Sequence, residues 1–254
     1  MSGTGAIFPG WSAALPKSLK SNYVHIWRGS LKTSDDLLKK NKRLLYPEEL
    51  ERAERFKFDR HRNGFITARA LLRRLLSLYT GLSADEIELH TMSHGKPFIK
   101  THKLPELRFN LSHSHERVLY AFCLDKEVGI DIELIKSGYA DSGIPERFFS
   151  KFEVEVLRSV EAERQAEAFF NCWTRKEAII KAIGQGLSLP LSAFDVTLKP
   201  GEEARVMDMR IPEIDKNNWK IWDIKVDNAY KAALALQGDA VELSYFDCDS
   251  ILTK

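Results

Sequence analysis

Residues 173–187 read Trp173-Thr-Arg-Lys-Glu177-Ala-Ile-Ile-Lys181-Ala-Ile-Gly-Gln-Gly-Leu187, which sets an indole, a carboxylate and an ammonium four residues apart. Residues four apart are neighbours on a helix, so Trp173, Glu177 and Lys181 share one face. Upstream lies Gly129-Ile-Asp131-Ile-Glu133. On a strand, Asp131 and Glu133 point to one side, and Ile130 and Ile132 to the other. Convergence of the two segments would gather three carboxylates and a lysine. Hard oxygen ligands with a cation beside them suit a magnesium ion that holds a phosphorylated substrate.

Each cluster also has a plainer reading. Asp131 and Glu133 fit a half-buried strand with a wetted face. Glu177 and Lys181 fit a surface ion pair worth about 0.3–0.5 kcal/mol. Trp173 fits a core position. Asn110-Leu-Ser112-His113-Ser-His115 reads as the polar end of a strand. It could be a solvated loop, a metal site using His113 and His115, or a phosphate site using Ser112 and His113. The metal option lacks a third His or Cys at suitable spacing. Gly95-Lys96-Pro97 is a turn where the backbone allows close approach and the ammonium can meet a phosphate. Arg52, Arg55, Lys57, Arg60, Arg62, Arg69, Arg73 and Arg74 form a basic stretch, either a solvated face or in part the wall of a polyanion site. Common hydrolase, zinc-protease, P-loop and C-x-x-C signatures are missing.

The elements that must position these residues can be read coarsely. The chain has 254 residues, 44% of them hydrophobic, and a net charge of +2, which is too balanced for a general nucleic-acid binder. Cys123, Cys172 and Cys248 show no pairing pattern, and the first two sit in apolar runs, which fits a reducing compartment. Met1 to Lys20 lacks the pattern of a signal peptide, and no run approaches the roughly 20 apolar residues of a membrane span. The expectation is a soluble cytoplasmic protein. Residues 1–21 read as an irregular arm. Strands are expected at Tyr23–Trp27, Ile87–Leu89, Pro97–Ile99, Phe109–Leu111, Val118–Leu124, Val128–Leu134, Phe194–Leu198, Trp219–Val226 and Tyr230–Leu236. Helices are expected over Leu31–Tyr46, from Pro47, from Asp59 to a stop at Gly81, and over Glu153–Arg164 and Ala166–Ile183. The chain therefore divides into an N-terminal α/β half, residues 22–125, and a C-terminal α/β half, residues 126–254, that carries the metal strand.

Taken together, the order and spacing are specific. Gly95-Lys-Pro97, Phe109-Asn-Leu-Ser-His-Ser114, Gly129-Ile-Asp-Ile-Glu133, Arg147-Phe-Phe-Ser-Lys151, Trp173-x-x-Lys-Glu177-x-x-x-Lys181-x-x-Gly184-x-Gly186-Leu187 and Ser188-Leu-Pro190 resemble the Sfp-type 4′-phosphopantetheinyl transferases over roughly residues 22–236. The resemblance implies an α+β fold of two similar halves about a pseudo-two-fold axis, each a small antiparallel sheet with a long helix. Coenzyme A would lie in the cleft between them. It implies transfer of the phosphopantetheine arm to a serine of an apo acyl or peptidyl carrier protein by a monomeric enzyme, with adenosine 3′,5′-bisphosphate as the other product. By the same match Asp131, Glu133 and Glu177 hold magnesium, and Lys176 and Lys181 face the phosphates. Gly95, Lys96 and Pro97 contact the nucleotide end, with Asn110, Ser112 and His113 nearby. His113 and Arg52 take the 3′-phosphate, with Arg62 as a further candidate. Glu177 or Glu153 accepts the serine proton, and Trp173 is structural. Two rival classes are a magnesium nucleotide hydrolase and a nucleic-acid-binding module that uses the Arg52–Arg74 stretch.

Overall fold

The computed structural model describes residues 10–16, 18–100, 105–239 and 241–252. In chain order the elements are β1 (Tyr23–Ser30), α1 (Asp35–Lys42), α2 (Pro47–Glu54), α3 (Asp59–Thr80), β2 (His90–Thr91), β3 (Pro97–Phe98), β4 (Leu107–Ser114), β5 (Arg117–Leu124), β6 (Val128–Leu134), α4 (Ile144–Phe148), α5 (Lys151–Arg158), α6 (Ala162–Ile183), β7 (Phe194–Val196), β8 (Val206–Met209), β9 (Trp219–Asp223), β10 (Tyr230–Gln237), β11 (Glu242–Asp247) and α7 (Asp249–Leu252). The order is α+β, as expected. Helices α3 and α6 both run 22 residues and both stop at a glycine with positive φ, Gly81 and Gly184.

Two sheets carry the fold, β11-β1-β5-β4 and β6-β10-β9. Alternation along β5 explains the layering. Val118, Tyr120 and Phe122 face α3, where they join Trp27, Leu71, Leu72 and Leu75. Leu119, Ala121 and Cys123 face the other way and meet Val128, Ile130, Ile132 and Leu234 of the second sheet. Helix α6 covers the far face of that sheet, against Ala233 and Ala235. The result is helix, sheet, sheet, helix, with one apolar layer between each pair. All three cysteines are buried and free.

Some expectations shift. The helix expected over Leu31–Tyr46 is shorter, because Ser34 caps it by accepting from the Leu37 N–H at 3.3 Å. The strand expected at Ile87–Leu89 begins only at His90, and Ile87 serves the core instead. Residues 159–161 interrupt the helices expected at Glu153–Arg164 and Ala166–Ile183, which become α5 and α6. The division at residues 22–125 and 126–254 does not follow the sheets. Strand β11, from the last stretch of the chain, lies parallel to β1 and completes the first sheet. Of the expected N-terminal arm, residues 1–9 and 17 lie outside the described residues, and Ser12 bridges to Phe246 of β11.

Beneath β11, Trp27 Nε1 donates to Tyr79 Oη at 2.7 Å, and that hydroxyl sits 3.0 Å from His25 Nδ1. The tyrosine proton is therefore free to be donated to a neutral imidazole. Burial lowers the His25 pKa to about 4. The unfolded chain would bind a proton below about 6.5 that the folded state refuses until about 4, so acid favours unfolding in that window. Between pH 7 and 4, His25 should withdraw about 3 kcal/mol of stability. Urea titrations of the wild type and of His25→Gln, which cannot titrate, should diverge by roughly that amount across the window. Parallel curves would remove His25 as the cause.

Candidate active site

Strands β4 and β6 are edges of their own sheets, and they meet side by side through polar side chains. The even-numbered residues of β4 point across the seam. Asn110 Oδ1 accepts from the Ile130 N–H at 3.0 Å, and Ser114 Oγ accepts from the Leu134 N–H at 3.1 Å. Ser114 donates to Glu133 Oε2 at 2.8 Å, and Ser112 donates to Asp131 Oδ1 at 2.8 Å. Side chains thus satisfy buried backbone groups that no neighbouring strand reaches. Asn110, expected at the cofactor, is a joint between the halves, although it also lines the cleft.

The other half of the site depends on Gly129. A Cβ built there would lie 2.0 Å from the Ala178 carbonyl oxygen and 2.4 Å from the Ala182 nitrogen, so α6 rests directly on β6. With Ala178 and Ala182 across from it, nothing larger than hydrogen separates helix from strand. This proximity brings Lys181 Nζ to 2.6 Å from Asp131 Oδ1 and 2.8 Å from Ser112 Oγ. Glu177, one turn earlier, faces the same cleft and makes no hydrogen bond to any described residue.

The carboxylates press on one another. Burial and then the Asp131 charge push the Glu133 carboxyl up. Burial and then Asp131, with Glu133 adding to it, push Glu177 up. Asp131 Oδ2 is buried with no hydrogen-bond partner. Among the described residues no three His, Cys, Asp or Glu side chains are already gathered as a metal cluster, and the Lys181 ammonium is the positive charge beside Asp131. The orphaned oxygen and the mutual repulsion of an all-oxygen donor set fit a hard divalent cation.

Two cavities flank this cluster, of about 360 and 250 Å³, and both are lined by Gly95, Pro97, Leu111 and Lys181. The smaller one runs along the β2–β3 hairpin to Gly184 and Gly186. The larger one opens between β4 and the start of α3, and Arg52, Arg60, His61, Phe65, Arg69, Ser112 and His113 line it. Burial first, then the Lys181 and His61 charges, hold His113 below the usual histidine range, which leaves the ring neutral near pH 7. His115 turns the chain between β4 and β5 at φ 52°.

Several expected ligands sit elsewhere or are occupied. Lys96 Nζ binds Glu127 Oε2 at 3.0 Å, the Ala182 carbonyl at 2.9 Å and the Val128 carbonyl at 3.3 Å. It ties the hairpin to the last turn of α6, where a cation is favoured, so its ammonium is not free for a nucleotide. Lys176 and Glu153 are not in the cleft. Both are fully buried in the C-terminal half and pair at 2.8 Å. Lys176 also donates to the Leu191 and Phe194 carbonyls. Glu153 closes the capping box of α5 with Ser150 and accepts from the Val196 N–H at 2.9 Å. Helical spacing explains the misplacement: Lys176 follows Arg175 and precedes Glu177, so a 100° step turns it into the core while Glu177 faces the cleft. Arg62 is tied to Glu54 and Asp59 on the outer surface. Trp173 stacks on Phe169, centroids 5.9 Å apart, and is structural as expected. Arg60 and Arg69 come from the basic stretch that the sequence offered as in part the wall of a polyanion site, whereas His61 and Phe65, which line the same cavity, were not singled out as site residues by sequence.

Comparison with known proteins covers both halves. The model of the 4′-phosphopantetheinyl transferase superfamily matches residues 127–235, and a model described as 4′-phosphopantetheinyl transferase, N-terminal, matches residues 29–124. The 4′-phosphopantetheinyl transferase HetI of Nostoc sp. is 33% identical over 88% of this chain and 93% of its own length. The corresponding figures are 34%, 82% and 86% for 4′-phosphopantetheinyl transferase psf-1 of Bacillus pumilus, and 35%, 74% and 80% for Sfp of Bacillus subtilis.

Proposed function

The chain belongs to the 4′-phosphopantetheinyl transferase superfamily, and from that premise we propose how its own residues carry the reaction. The enzyme transfers the phosphopantetheine group of coenzyme A to a serine of an apo carrier protein. The serine oxygen attacks the phosphorus that bears the pantetheine arm. The pyrophosphate P–O bond breaks, adenosine 3′,5′-bisphosphate leaves, and the serine proton passes to a base.

Asp131, Glu133 and Glu177 would hold magnesium, and the unpartnered buried Asp131 Oδ2 is the observation that carries this assignment. Bound there, magnesium would draw off negative charge from the pyrophosphate as the bond breaks. Lys181 holds Asp131 and Ser112 in place and presents fixed positive charge to the same phosphates. Glu177 is the base, because its carboxylate faces the cleft while Glu153 is locked in the core. Ser112 and His113 line the wall toward the nucleotide end. Both walls come from one chain, which supports a monomer. Three free buried thiols fit a reducing, cytoplasmic setting, and no helix among the described residues is long and apolar enough to cross a membrane.

Intact-mass analysis of a panel of apo carrier proteins, incubated with coenzyme A and magnesium, tests the proposal. At least one carrier should gain a single phosphopantetheine group, and excess chelator should prevent it. Turnover of coenzyme A with every carrier unmodified would favour the hydrolase. The nucleic-acid alternative finds little support, since Arg62, Arg73 and Arg74 are paired within the protein and Arg52, Arg60 and Arg69 face the cleft.

A further inference from the structure

Glu127 lines neither cavity and belongs to none of the motifs, yet three elements of the fold meet on it. Its Oε2 accepts from Lys96 Nζ of the β2–β3 hairpin at 3.0 Å, and its Oε1 stands 3.3 Å from Arg108 Nη1 of β4. Its own place is fixed, because its carbonyl accepts from the Gln237 N–H of β10 at 2.9 Å. One carboxylate at the root of β6 therefore holds the hairpin, β4 and β10 together. The Lys96 side chain is 10% accessible and that of Glu127 32%. An exposed ion pair is worth little, but this ammonium is nearly buried and gives its other donors to the Val128 and Ala182 carbonyls. All three of its donors are used.

The hairpin needs that hold. Strands β2 and β3 have two residues each, and so short a pair is not stable alone. Ile99 anchors its base in the core. At the turn, Ser93, His94 and Gly95 are exposed. The turn's own bonds run from the Met92 N–H to the Lys96 carbonyl and from the Gly95 N–H to the Met92 carbonyl, both at 2.9 Å. The turn packs over the glycines that follow α6. A Cβ on Gly184 would lie 3.6 Å from Lys96 Cδ, and one on Gly186 3.3 Å from His94 Cβ. Among the described residues, Lys96 makes all the hydrogen bonds between the hairpin and the C-terminal half. Gly95 and Pro97, on either side of it, line both cavities. The position of that shared wall therefore follows from where Lys96 is tied.

We infer that Glu127 is a positioning residue of the reaction: through Lys96 it holds the β2–β3 turn against the end of α6, so that the wall common to both cavities stands in place before coenzyme A arrives. The inference rests on the transferase reading and adds to it a residue outside the cleft. A wall already in place need not be ordered by the ligand, so its contribution appears in affinity. Helix α6 keeps its own seat on β6 at Gly129, so Glu177 and Lys181 stay where they are when the turn loosens.

Glu127→Gln, which keeps size but not charge, and Lys96→Met, which keeps the apolar stem, are compared with the wild type. Calorimetry should show coenzyme A binding weakened by roughly tenfold in each, the loss of about one charge-assisted contact. The double variant should be no weaker than either single variant, since both break one fastening. The Michaelis constant for coenzyme A should rise in parallel while kcat changes little. In the ligand-free variants the Met92 and Gly95 amides should exchange hydrogen faster, with those of β6 and α6 unchanged. Removing the acid and removing the base thus act in the same direction. A lysine that met the phosphates directly would give opposite signs, because Glu127→Gln would release its ammonium to the ligand and tighten binding. That result overturns the inference. A lowered urea midpoint with unchanged affinity also overturns it, since the pair would then be structural only. The binding measurement needs no carrier protein. A wild type that binds coenzyme A while no carrier is modified counts against the transferase reading, whereas variants that bind as tightly as the wild type overturn the Glu127 assignment alone.

Discussion

Asp131→Asn is expected to cut phosphopantetheine transfer by roughly 10³-fold or more, because a metal's stabilisation of phosphoryl charge amounts to several kcal/mol and each 1.4 kcal/mol is about tenfold in rate. The fold should be untouched. Asparagine keeps the acceptor that Ser112 and Lys181 use at 2.8 and 2.6 Å. It removes the charge that pushes up the Glu133 and Glu177 carboxyls. Thermal melting should therefore give a midpoint equal to or above that of the wild type, while intact-mass assays show almost no holo carrier. Raising magnesium should not restore the rate, since a neutral amide is a poor substitute ligand at the centre of the cluster. Activity within tenfold of wild type would mean that Asp131 is only the ion-pair partner of Lys181, and the metal assignment would fall with it.

Gly129→Ala is expected to disable the enzyme from outside the cleft. The new methyl would need space that the Ala178 carbonyl and Ala182 nitrogen already fill, and both are backbone atoms that cannot rotate away. Helix α6 must lift from β6. Overpacking of this kind typically costs about 1–3 kcal/mol, and backbone resistance places this site at the upper end. The shift also separates Glu177 and Lys181 on α6 from Asp131 and Glu133 on β6. A misplacement of about 1 Å can cost on the order of 10²-fold in rate. Urea unfolding should show the stability loss, and single-turnover transfer should show a rate loss that saturating coenzyme A does not repair. A stable variant with normal turnover would show that the spacing between α6 and β6 does not set the site. Placed side by side, the two substitutions separate chemistry from positioning: the first leaves stability intact and the second does not.

Periodicity was enough for the long elements. Val128–Leu134 emerged with its expected bounds because alternating isoleucines must face a core on one side only. Helix α3 ended at Gly81 as its sequence required. Short or late elements were less legible. Strand β11 has a mixed pattern, and its place parallel to β1 depends on a partner some 220 residues earlier in the chain, as the Arg28–Asp247 pair with its separation of 219 illustrates. Residue type also misled where one lysine resembled another. Lys176 and Lys96 both belong to the motifs, yet one is neutralised by Glu153 in the core and the other by Glu127 and two carbonyls at the end of α6.

By itself the sequence determined the family, the α+β order, and the pairing of Asp131 with Glu133 on a strand and of Glu177 with Lys181 on a helix, because each follows from local period and spacing. Only the tertiary structure decided which of the expected groups meet. That decision depends on contacts between residues far apart in the chain: the hydrogen atom of Gly129 that admits α6, the Asn110, Ser112 and Ser114 side chains that join two sheet edges, and the ring of Phe65 beneath Arg52 and Arg69. Whether a charged side chain is spent inside the protein or left for a ligand is a question of which neighbours packing supplies, and local spacing carries no information about them.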